Sequence, residues 1–91
     1  MEYQLIVLLT AERDLERLSQ ETREAVIRRM EWLRVNARAV IHHRLQNMPN
    51  DLAGLCRLRQ GDYRILYWQY PAHRLIRVYR VQHRSEVYRD L

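Results

Sequence analysis

The hydrophobic positions of the chain begin with a short run, YQLIVLL at residues 3–9, that is apolar and partly β-branched. A run this short predicts a strand that is buried on much of both faces. Apolar residues then recur at helical spacing over 11–18, and again after Ser19 up to a point within 34–38. This spacing predicts two helices joined by a tight connection, with Thr10 as the N-cap candidate of the first and Ser19 as the start of the second.

Three further strand-like segments fill the second half of the chain, after a connector at residues 39–51 that is rich in turn-forming residues. They are LAGLCRLR (52–59), DYRILYWQY (62–70) and RLIRVYRVQ (74–82). Short links between these segments make the strands antiparallel. The predicted order is β-α-α-β-β-β, an α+β fold in which a small, antiparallel-rich sheet packs on a helical hairpin. At 91 residues the chain has room for one domain, residues 1–91.

The first hairpin of this sheet, RLRQGDYRILYW, concentrates arginines among apolar residues. A two-residue loop at 60–61 pairs Arg57 with Arg64 and Arg59 with Asp62, and it collects the apolar side chains on the other face. A three-residue loop would instead put the arginines on the same face as the apolar side chains. We therefore expect the two-residue loop, with the apolar face packed on the helices.

Two guanidinium groups that face each other directly, as Arg57 and Arg64 would, destabilise a sheet by up to about 1 kcal/mol. A site that retains such a pair without a nearby carboxylate is expected to bind an anion. Phosphate fits, because two guanidinium groups can hold its oxygens. The alternative is that both side chains extend into solvent and have no function.

The composition also favours an anionic partner. The net charge is +5, and all sixteen basic residues are arginine, which binds carboxylate and phosphate through a planar fork. Cys56 is the only cysteine, and the histidines show no metal-binding spacing, so we expect no metal and no cofactor. The apolar run LIVLL is too short for a signal peptide or a membrane span, which predicts a cytoplasmic protein without membrane contact.

The C-terminal sequence VQHRSEVYRDL adds groups that are suited to chemistry on a phosphate. A helical turn over 84–89 would place Arg84 and Tyr88 on one face, close to His83. Nearby guanidinium groups favour the phenolate form of a tyrosine, which can then take a proton from a hydroxyl beside a phosphate. Taken alone, His83 and Tyr88 are more often a surface histidine and a packed aromatic residue.

The segments LAGLCRLRQGDYRILYW and VYRVQHRSEVYRDL together resemble the RelE/ParE toxins of bacterial toxin–antitoxin systems, and the resemblance extends over nearly the whole chain. In that family, RelE-type members cut messenger RNA in the ribosomal A site, whereas ParE-type members poison DNA gyrase. The ending from His83 to Tyr88 resembles the RelE type. The resemblance therefore implies a ribosome-dependent endoribonuclease toxin that inhibits translation and is neutralised by a RelB-like antitoxin encoded by an adjacent gene.

By this resemblance the reaction needs no metal: the ribose 2′-hydroxyl attacks the adjacent phosphate and leaves a 2′,3′-cyclic phosphate. Carried over by motif, Arg57 and Arg64 would hold the phosphate, and Tyr88 would take the 2′-hydroxyl proton. Arg84 or His83 would supply the remaining cation or the acid for the leaving group. The chain has arginines where the archetypal RelE has lysines. Because arginine keeps its proton near neutral pH, the acid would have to come from His83 or from the ribosome.

Three more residues are candidate RNA contacts: Arg59, Arg77 and Trp68. Arg77 and Arg80 are expected on opposite faces of the last strand, so that at most one of them reaches the RNA. Trp68 would share a face with Arg64, where it would either stack a base or pack against the connector. Two rival functions stay open: a ParE-like inhibitor of DNA gyrase, and a non-toxic RNA- or protein-binding module on the same fold.

Overall fold

The computed structural model describes residues 2–87, in which strand β1 (Gln4–Val7) leads directly into helix α1 (Leu9–Glu16). Helix α2 (Gln20–Asn36) follows after a short link, and it ends within the predicted range. The remaining strands are β2 (His43–Arg44), β3 (Cys56–Gln60), β4 (Tyr63–Tyr70) and β5 (Leu75–His83). The predicted α+β fold is confirmed, because the two helices pack on one mixed sheet of five strands.

The strand order of the sheet is β1-β5-β4-β3-β2; β1 runs parallel to β5, and the other neighbours are antiparallel. The prediction that β1 is buried on much of both faces is wrong, because only one face, with Leu5 and Val7, packs on the core and the other leaves Gln4 and Ile6 exposed. The sequence pattern also misses β2, which pairs with Arg57 and Cys56 of β3. A strand of two residues is too short to show an alternation of polar and apolar side chains.

The two helices begin differently. Helix α2 begins at the predicted point, where Ser19 is its N-cap: the hydroxyl of Ser19 accepts a hydrogen bond from the backbone N–H of Thr22 at 3.3 Å. The N-cap prediction for Thr10 is wrong, because α1 already begins at Leu9 and the Thr10 hydroxyl donates to the carbonyl of Tyr79 in β5. Among the described residues, neither helix is both long and apolar enough to cross a membrane.

The main hydrophobic core lies between the helices and the sheet. The helices contribute Ala11, Val26, Met30 and Leu33, and the strands contribute Cys56, Ile65, Tyr67, Ile76, Val78 and Val81. Burying a medium-sized apolar side chain stabilises the fold by about 1.5–3 kcal/mol. This layer fixes which face of β3 and β4 points away from the helices, and the polar face is therefore free to carry a site.

One polar contact inside this core involves the connector. The hydroxyl of Tyr67 lies 2.8 Å from Nδ1 of His42, whose Nε2 donates to the carbonyl of Ala37 at 2.8 Å. His42 is thus half-buried although it lies in a connector, because the buried phenol needs a hydrogen-bond partner and the imidazole supplies it. Burial raises the pKa of Tyr67 well above the ordinary value of a phenol, so this side chain stays protonated.

Candidate active site

The loop between β3 and β4 sets the positions of the arginines, and it differs from the predicted one. Gly61 and Asp62 form the loop, so that Arg59 faces Arg64 and Arg57 faces Leu66. The predicted pairs, Arg57 with Arg64 and Arg59 with Asp62, are wrong by two residues. Gly61 has a φ of +57°, which glycine adopts at little cost, and a glycine of this kind suits the first position of a two-residue loop.

The shift of two residues leaves the predicted faces unchanged, because side chains alternate with a period of two. The arginines of β3 and β4 lie on the face away from the helices, as predicted. Gln82 of β5 is the cross-strand neighbour of Arg64 on its other side, so that Arg59, Arg64 and Gln82 form one row across the sheet. Arg57 lies one step along β3 from this row.

The side chain of Arg64 is held in place by the loop. Its Nη1 donates to the carbonyl of Gly61 at 3.0 Å and to the carbonyl of Tyr63 at 2.9 Å. The Nε and Nη2 groups of Arg64 have no hydrogen-bond partner among residues 2–87. The guanidinium of Arg64 is therefore pre-positioned, with part of its fork available to a ligand.

A cleft of about 440 Å³ opens beside these strands, and we call it the arginine cleft. Its lining consists of Arg29 and Trp32 from α2, Val40, Ile41 and His43 from the connector, and Arg57, Leu58, Arg59, Arg64 and Tyr67 from β3 and β4. Four of these residues are arginines, and none of the lining residues within 2–87 carries a carboxylate. The cleft therefore combines a high density of positive charge with a partly apolar wall.

Arg29 is a member of the site that the sequence does not reveal. Its Nε donates to the carbonyl of Arg59 at 3.1 Å, and its guanidinium lies 4.2 Å from the ring centroid of Trp32. Trp32 lies outside the core and is 40% exposed, because the buried stripe of α2 runs through Val26, Met30 and Leu33. In the sequence, Arg29 is one of several arginines along a helix, and nothing there marks it as a strand neighbour.

The structure does not bring His83 into the arginine cleft. His83 pairs with Tyr63 across β4 and β5, on the helix side of the sheet, and the two rings meet edge to face at 5.4 Å. Its Nδ1 accepts a hydrogen bond from the backbone N–H of Ser85 at 3.1 Å. The other ring nitrogen of His83, Nε2, is not used in this contact.

Arg84 lies at the same end of the sheet, next to the loop between β3 and β4. Its backbone N–H donates to the carbonyl of Asp62 at 2.7 Å, and its Nε lies 3.7 Å from the Asp62 carboxylate. Arg84 thus takes the partner that the predicted register gave to Arg59. Tyr88, the predicted base, lies outside the described residues.

Arg77 and Trp68 lie on the same face as Arg64, but farther along the sheet. A β-bulge interrupts the pairing of β4 with β5, so that Leu66 pairs with Arg80 and Tyr67 with Val78. The prediction that Arg77 and Arg80 lie on opposite faces is therefore wrong, because one extra residue in β5 inverts the alternation. The indole N–H of Trp68 donates to the carbonyl of Ala53 at 3.1 Å, so Trp68 contacts the segment between the connector and β3.

Titratable groups near the cleft do not provide an obvious base. Tyr67 is held protonated by burial, and burial likewise raises the pKa of the Cys56 thiol on β3. Among residues 2–87 there is no group of three histidine, cysteine or acidic side chains arranged to hold a metal ion. The chemistry that this arrangement supports is the binding and charge stabilisation of a phosphate group.

Gln82 is a buried polar residue with an unmet hydrogen-bonding requirement. The residue is 3% exposed, and within residues 2–87 its Oε1 has no hydrogen-bond partner. An unsatisfied buried acceptor costs about 1–3 kcal/mol. Residues that break this rule are commonly found at functional sites, and Gln82 lies directly beside Arg64.

We therefore expect Gln82→Leu to stabilise the protein by about 1 kcal/mol, which raises the melting temperature of a domain of this size by about 4–8 °C. The reason is that leucine removes the unsatisfied acceptor while it keeps most of the buried volume. Thermal denaturation measures the change, and Gln4→Leu, at an exposed glutamine of β1, is the matched control. A fall in melting temperature for Gln82→Leu would show that the amide has a stabilising partner.

Comparison with known proteins identifies the family. A family model described as the ParE toxin of the type II toxin–antitoxin system parDE matches residues 5–88. The chain belongs to the RelE/ParE superfamily of type II toxins. Toxin RelE of Mycobacterium tuberculosis is 33% identical over 88 residues, which cover 96% of this chain and 87% of that relative.

Solved structures of the RelE/ParE superfamily agree with this fold. The RelBE2 toxin–antitoxin complex from Mycobacterium tuberculosis matches with a TM-score of 0.76 and 30% identity, covering 93% of this chain and 94% of that one. The archaeal RelE–RelB complex from Pyrococcus horikoshii matches with a TM-score of 0.71 and 18% identity, covering 96% and 100%. The predicted family resemblance is thus confirmed, although the family model is of the ParE type and these relatives are RelE proteins.

Proposed function

We propose that this RelE/ParE toxin is an endoribonuclease that cuts messenger RNA on the ribosome by metal-independent attack of the ribose 2′-hydroxyl on the adjacent phosphate. The observation that supports the proposal best is the arginine cleft, where four arginines line one cavity. Guanidinium groups form strong bidentate hydrogen bonds to phosphate. The same groups stabilise the extra negative charge that develops on the phosphate oxygens in the transition state.

In this proposal Arg64 and Arg59 bind the scissile phosphate from neighbouring strands, because they face each other across β3 and β4. Arg57, which lines the same cleft, contributes a third guanidinium. Tyr88 is proposed as the base that takes the 2′-hydroxyl proton. Arg84 is proposed as a further cation for the same phosphate, once it leaves Asp62.

The mechanism also needs an acid that protonates the leaving group. The guanidinium groups of the arginine cleft keep their protons near neutral pH and do not act as acids. His83 would have to turn away from Tyr63 and Ser85 to reach the phosphate. The acid is therefore either a repositioned His83 or a group of the ribosome, and positioning of the message by the ribosome is expected to supply much of the rate. Well-oriented reactants lower a barrier by about 7–11 kcal/mol.

Single-turnover cleavage of one defined message, free and bound to programmed ribosomes, tests this function. We expect cleavage of the ribosome-bound message only, with a 2′,3′-cyclic phosphate at the new end and no loss of rate in the presence of a metal chelator. Rapid cleavage of ribosome-free RNA would contradict the dependence on the ribosome. A message that stays intact in both settings would contradict the nuclease function itself.

We also propose a RelB-like antitoxin as the protein partner that silences the toxin. The relatives from Mycobacterium tuberculosis and Pyrococcus horikoshii are toxins in complex with such partners. A net charge of +5 would steer an acidic antitoxin towards the arginines. An antitoxin segment that folds on binding can cover a large surface, and we propose that it covers the arginine cleft.

The second candidate function is inhibition of DNA gyrase, which the ParE description of the matching family model favours. The two functions differ in what they damage in a cell that expresses the toxin. Cut messages without DNA damage support the nuclease, whereas DNA damage with intact messages supports the gyrase inhibitor. A non-toxic binding module would cause neither effect and no growth arrest.

A further inference from the structure

A second cleft of about 540 Å³ lies on the sheet face away from the helices, at the opposite end of β4 from the arginine cleft. We call it the aromatic cleft. Its lining includes three aromatic side chains and two arginines: Trp68, Tyr70, Tyr79, Arg44 and Arg77. Its volume falls within the range of small-molecule sites, which is about 300–1,000 Å³. No part of the mechanism proposed above uses this cleft.

The bulge in β5 is what brings Tyr79 into the aromatic cleft. Because Tyr67 pairs with Val78 and Leu66 with Arg80, Tyr79 is the extra residue of the bulge. Val78 points into the core, while the Tyr79 ring lies 5.3 Å from the ring of Trp68, with the two planes inclined by 46°. Bulges are frequent beside functional sites, where they redirect a side chain. The geometry thus assembles two adjacent, partly exposed rings.

Positive charge borders these rings. The guanidinium carbon of Arg77 lies 5.7 Å from the ring centroid of Trp68, and its Nη1 donates a long hydrogen bond of 3.4 Å to the hydroxyl of Tyr70. Arg44 is exposed, and its side chain makes no hydrogen bond or ion pair within residues 2–87. Asp51 is the one carboxylate among the described lining residues, so the two arginines leave the cleft with a net positive charge.

We propose that the aromatic cleft binds an unpaired nucleotide of RNA, with its base against Trp68 and Tyr79 and its phosphate between Arg44 and Arg77. Nucleic-acid bases stack on aromatic side chains with little dependence on the nucleotide sequence. Arginines beside the aromatic rings bind the phosphates of the nucleic-acid backbone. This inference rests on the proposed function, because it adds a second contact for the RNA that enters the arginine cleft. Arg64 and Trp68 point from the same face of β4 and are four residues apart, about 13 Å along the strand, so one RNA strand reaches both.

The test measures whether the bases, and not the phosphates alone, contribute to binding. The full chain is titrated at constant ionic strength with a fluorescent single-stranded RNA hexamer and with an abasic ribose-phosphate hexamer of equal charge. We expect the RNA hexamer to bind about 10-fold more tightly than the abasic one. Tyr79→Leu should remove most of this preference and leave the abasic affinity unchanged, and Tyr79→Phe, which keeps the ring, should preserve it.

Arg44→Ala provides a second variant that is expected to fold, since the Arg44 side chain is exposed and makes no hydrogen bond or ion pair within residues 2–87. It should weaken both hexamers alike, and more than Arg13→Ala, which removes the same charge from an exposed position on α1. If Tyr79→Leu keeps the full base preference, or weakens binding of the antitoxin alone, the proposal is wrong even if the arginine cleft cuts RNA. Conversely, a base preference lost in Tyr79→Leu supports this site even if no message is cleaved.

Discussion

Replacement of Arg64 with alanine is expected to slow cleavage of a ribosome-bound message by about 100- to 1,000-fold, the usual effect of losing one pre-positioned donor to a developing oxyanion. The side chain is held by the carbonyls of Gly61 and Tyr63, while Nε and Nη2 have no partner within residues 2–87. It therefore reaches the phosphate without reorganisation. The same variant should no longer arrest growth, and single-turnover cleavage on programmed ribosomes measures the loss.

Thermal melting of Arg64→Ala separates this loss from unfolding. The variant loses two hydrogen bonds to loop carbonyls, each worth about 0.5–1.5 kcal/mol. Against this, it removes one of two facing like charges, because Arg59 lies directly opposite. The melting temperature should therefore change by only a few degrees, about 4–8 °C per kcal/mol.

Arg13→Ala is the matched control for Arg64→Ala, because Arg13 is an exposed arginine of α1 that makes no hydrogen bond or ion pair within residues 2–87. Arg23 is unsuitable, since its guanidinium donates to carbonyls at the end of α1, including that of Leu15 at 2.8 Å. Wild-type cleavage by Arg64→Ala would rule out the phosphate-binding role. If this variant stopped cutting messages but still poisoned cells, inhibition of gyrase would become the leading function.

The sequence predicts the faces of the arginine hairpin correctly but not its register. Alternation has a period of two, so a shift of two residues keeps every side chain on its face and the pattern does not distinguish Arg57 from Arg59 as the partner of Arg64. The turn decides between them, and the informative signal is Gly61 at positive φ. A two-residue loop that starts at Gly61 pairs Arg59 with Arg64 and Arg57 with Leu66, as observed.

The bulge in β5 lies where strict alternation of polar and apolar residues fails. In RVYRV, from residue 77 to residue 81, the two valines are three residues apart, but nothing in the sequence marks Tyr79 as the extra residue. The fold nevertheless needs both Val78 and Val81 in the core, which regular alternation does not allow. The bulge resolves this conflict, and as a consequence it moves Tyr79 and Arg77 to the face of Trp68.

The contribution of Arg29 to the arginine cleft depends on tertiary structure alone. Its hydrogen bond to the carbonyl of Arg59 joins residues 30 positions apart, and it forms because β2 is too short to cover this part of the β3 edge. Local sequence carries no information about such an edge. The residues that the family motif supplied lie on β3, β4 and the C-terminal end, whereas the wall contributed by α2 had to be found in the structure.

Asp14→Ala is expected to destabilise the protein by about 2–3 kcal/mol, since a buried carboxylate that accepts from a charged donor contributes about this much. Asp14 is 7% exposed and accepts from Nε of Arg80 at 2.7 Å, from Nη2 of Arg80 at 3.2 Å, and from the backbone N–H of Val81 at 2.9 Å. These bonds join α1 to β5 beyond the point where β1 ends. The melting temperature should fall by about 10–20 °C.

Glu16→Ala removes the same charge from an exposed position of α1 and should change stability by no more than about 0.5 kcal/mol. A double-mutant cycle with Arg80→Ala isolates the pair, and we expect a coupling energy of about 1–3 kcal/mol. A coupling near zero would mean that Asp14 acts through Val81 alone. The sequence contains one sign of this role: Asp14 shares the buried face of α1 with Ala11 and Leu15, where a carboxylate is stable only if the fold supplies it with donors.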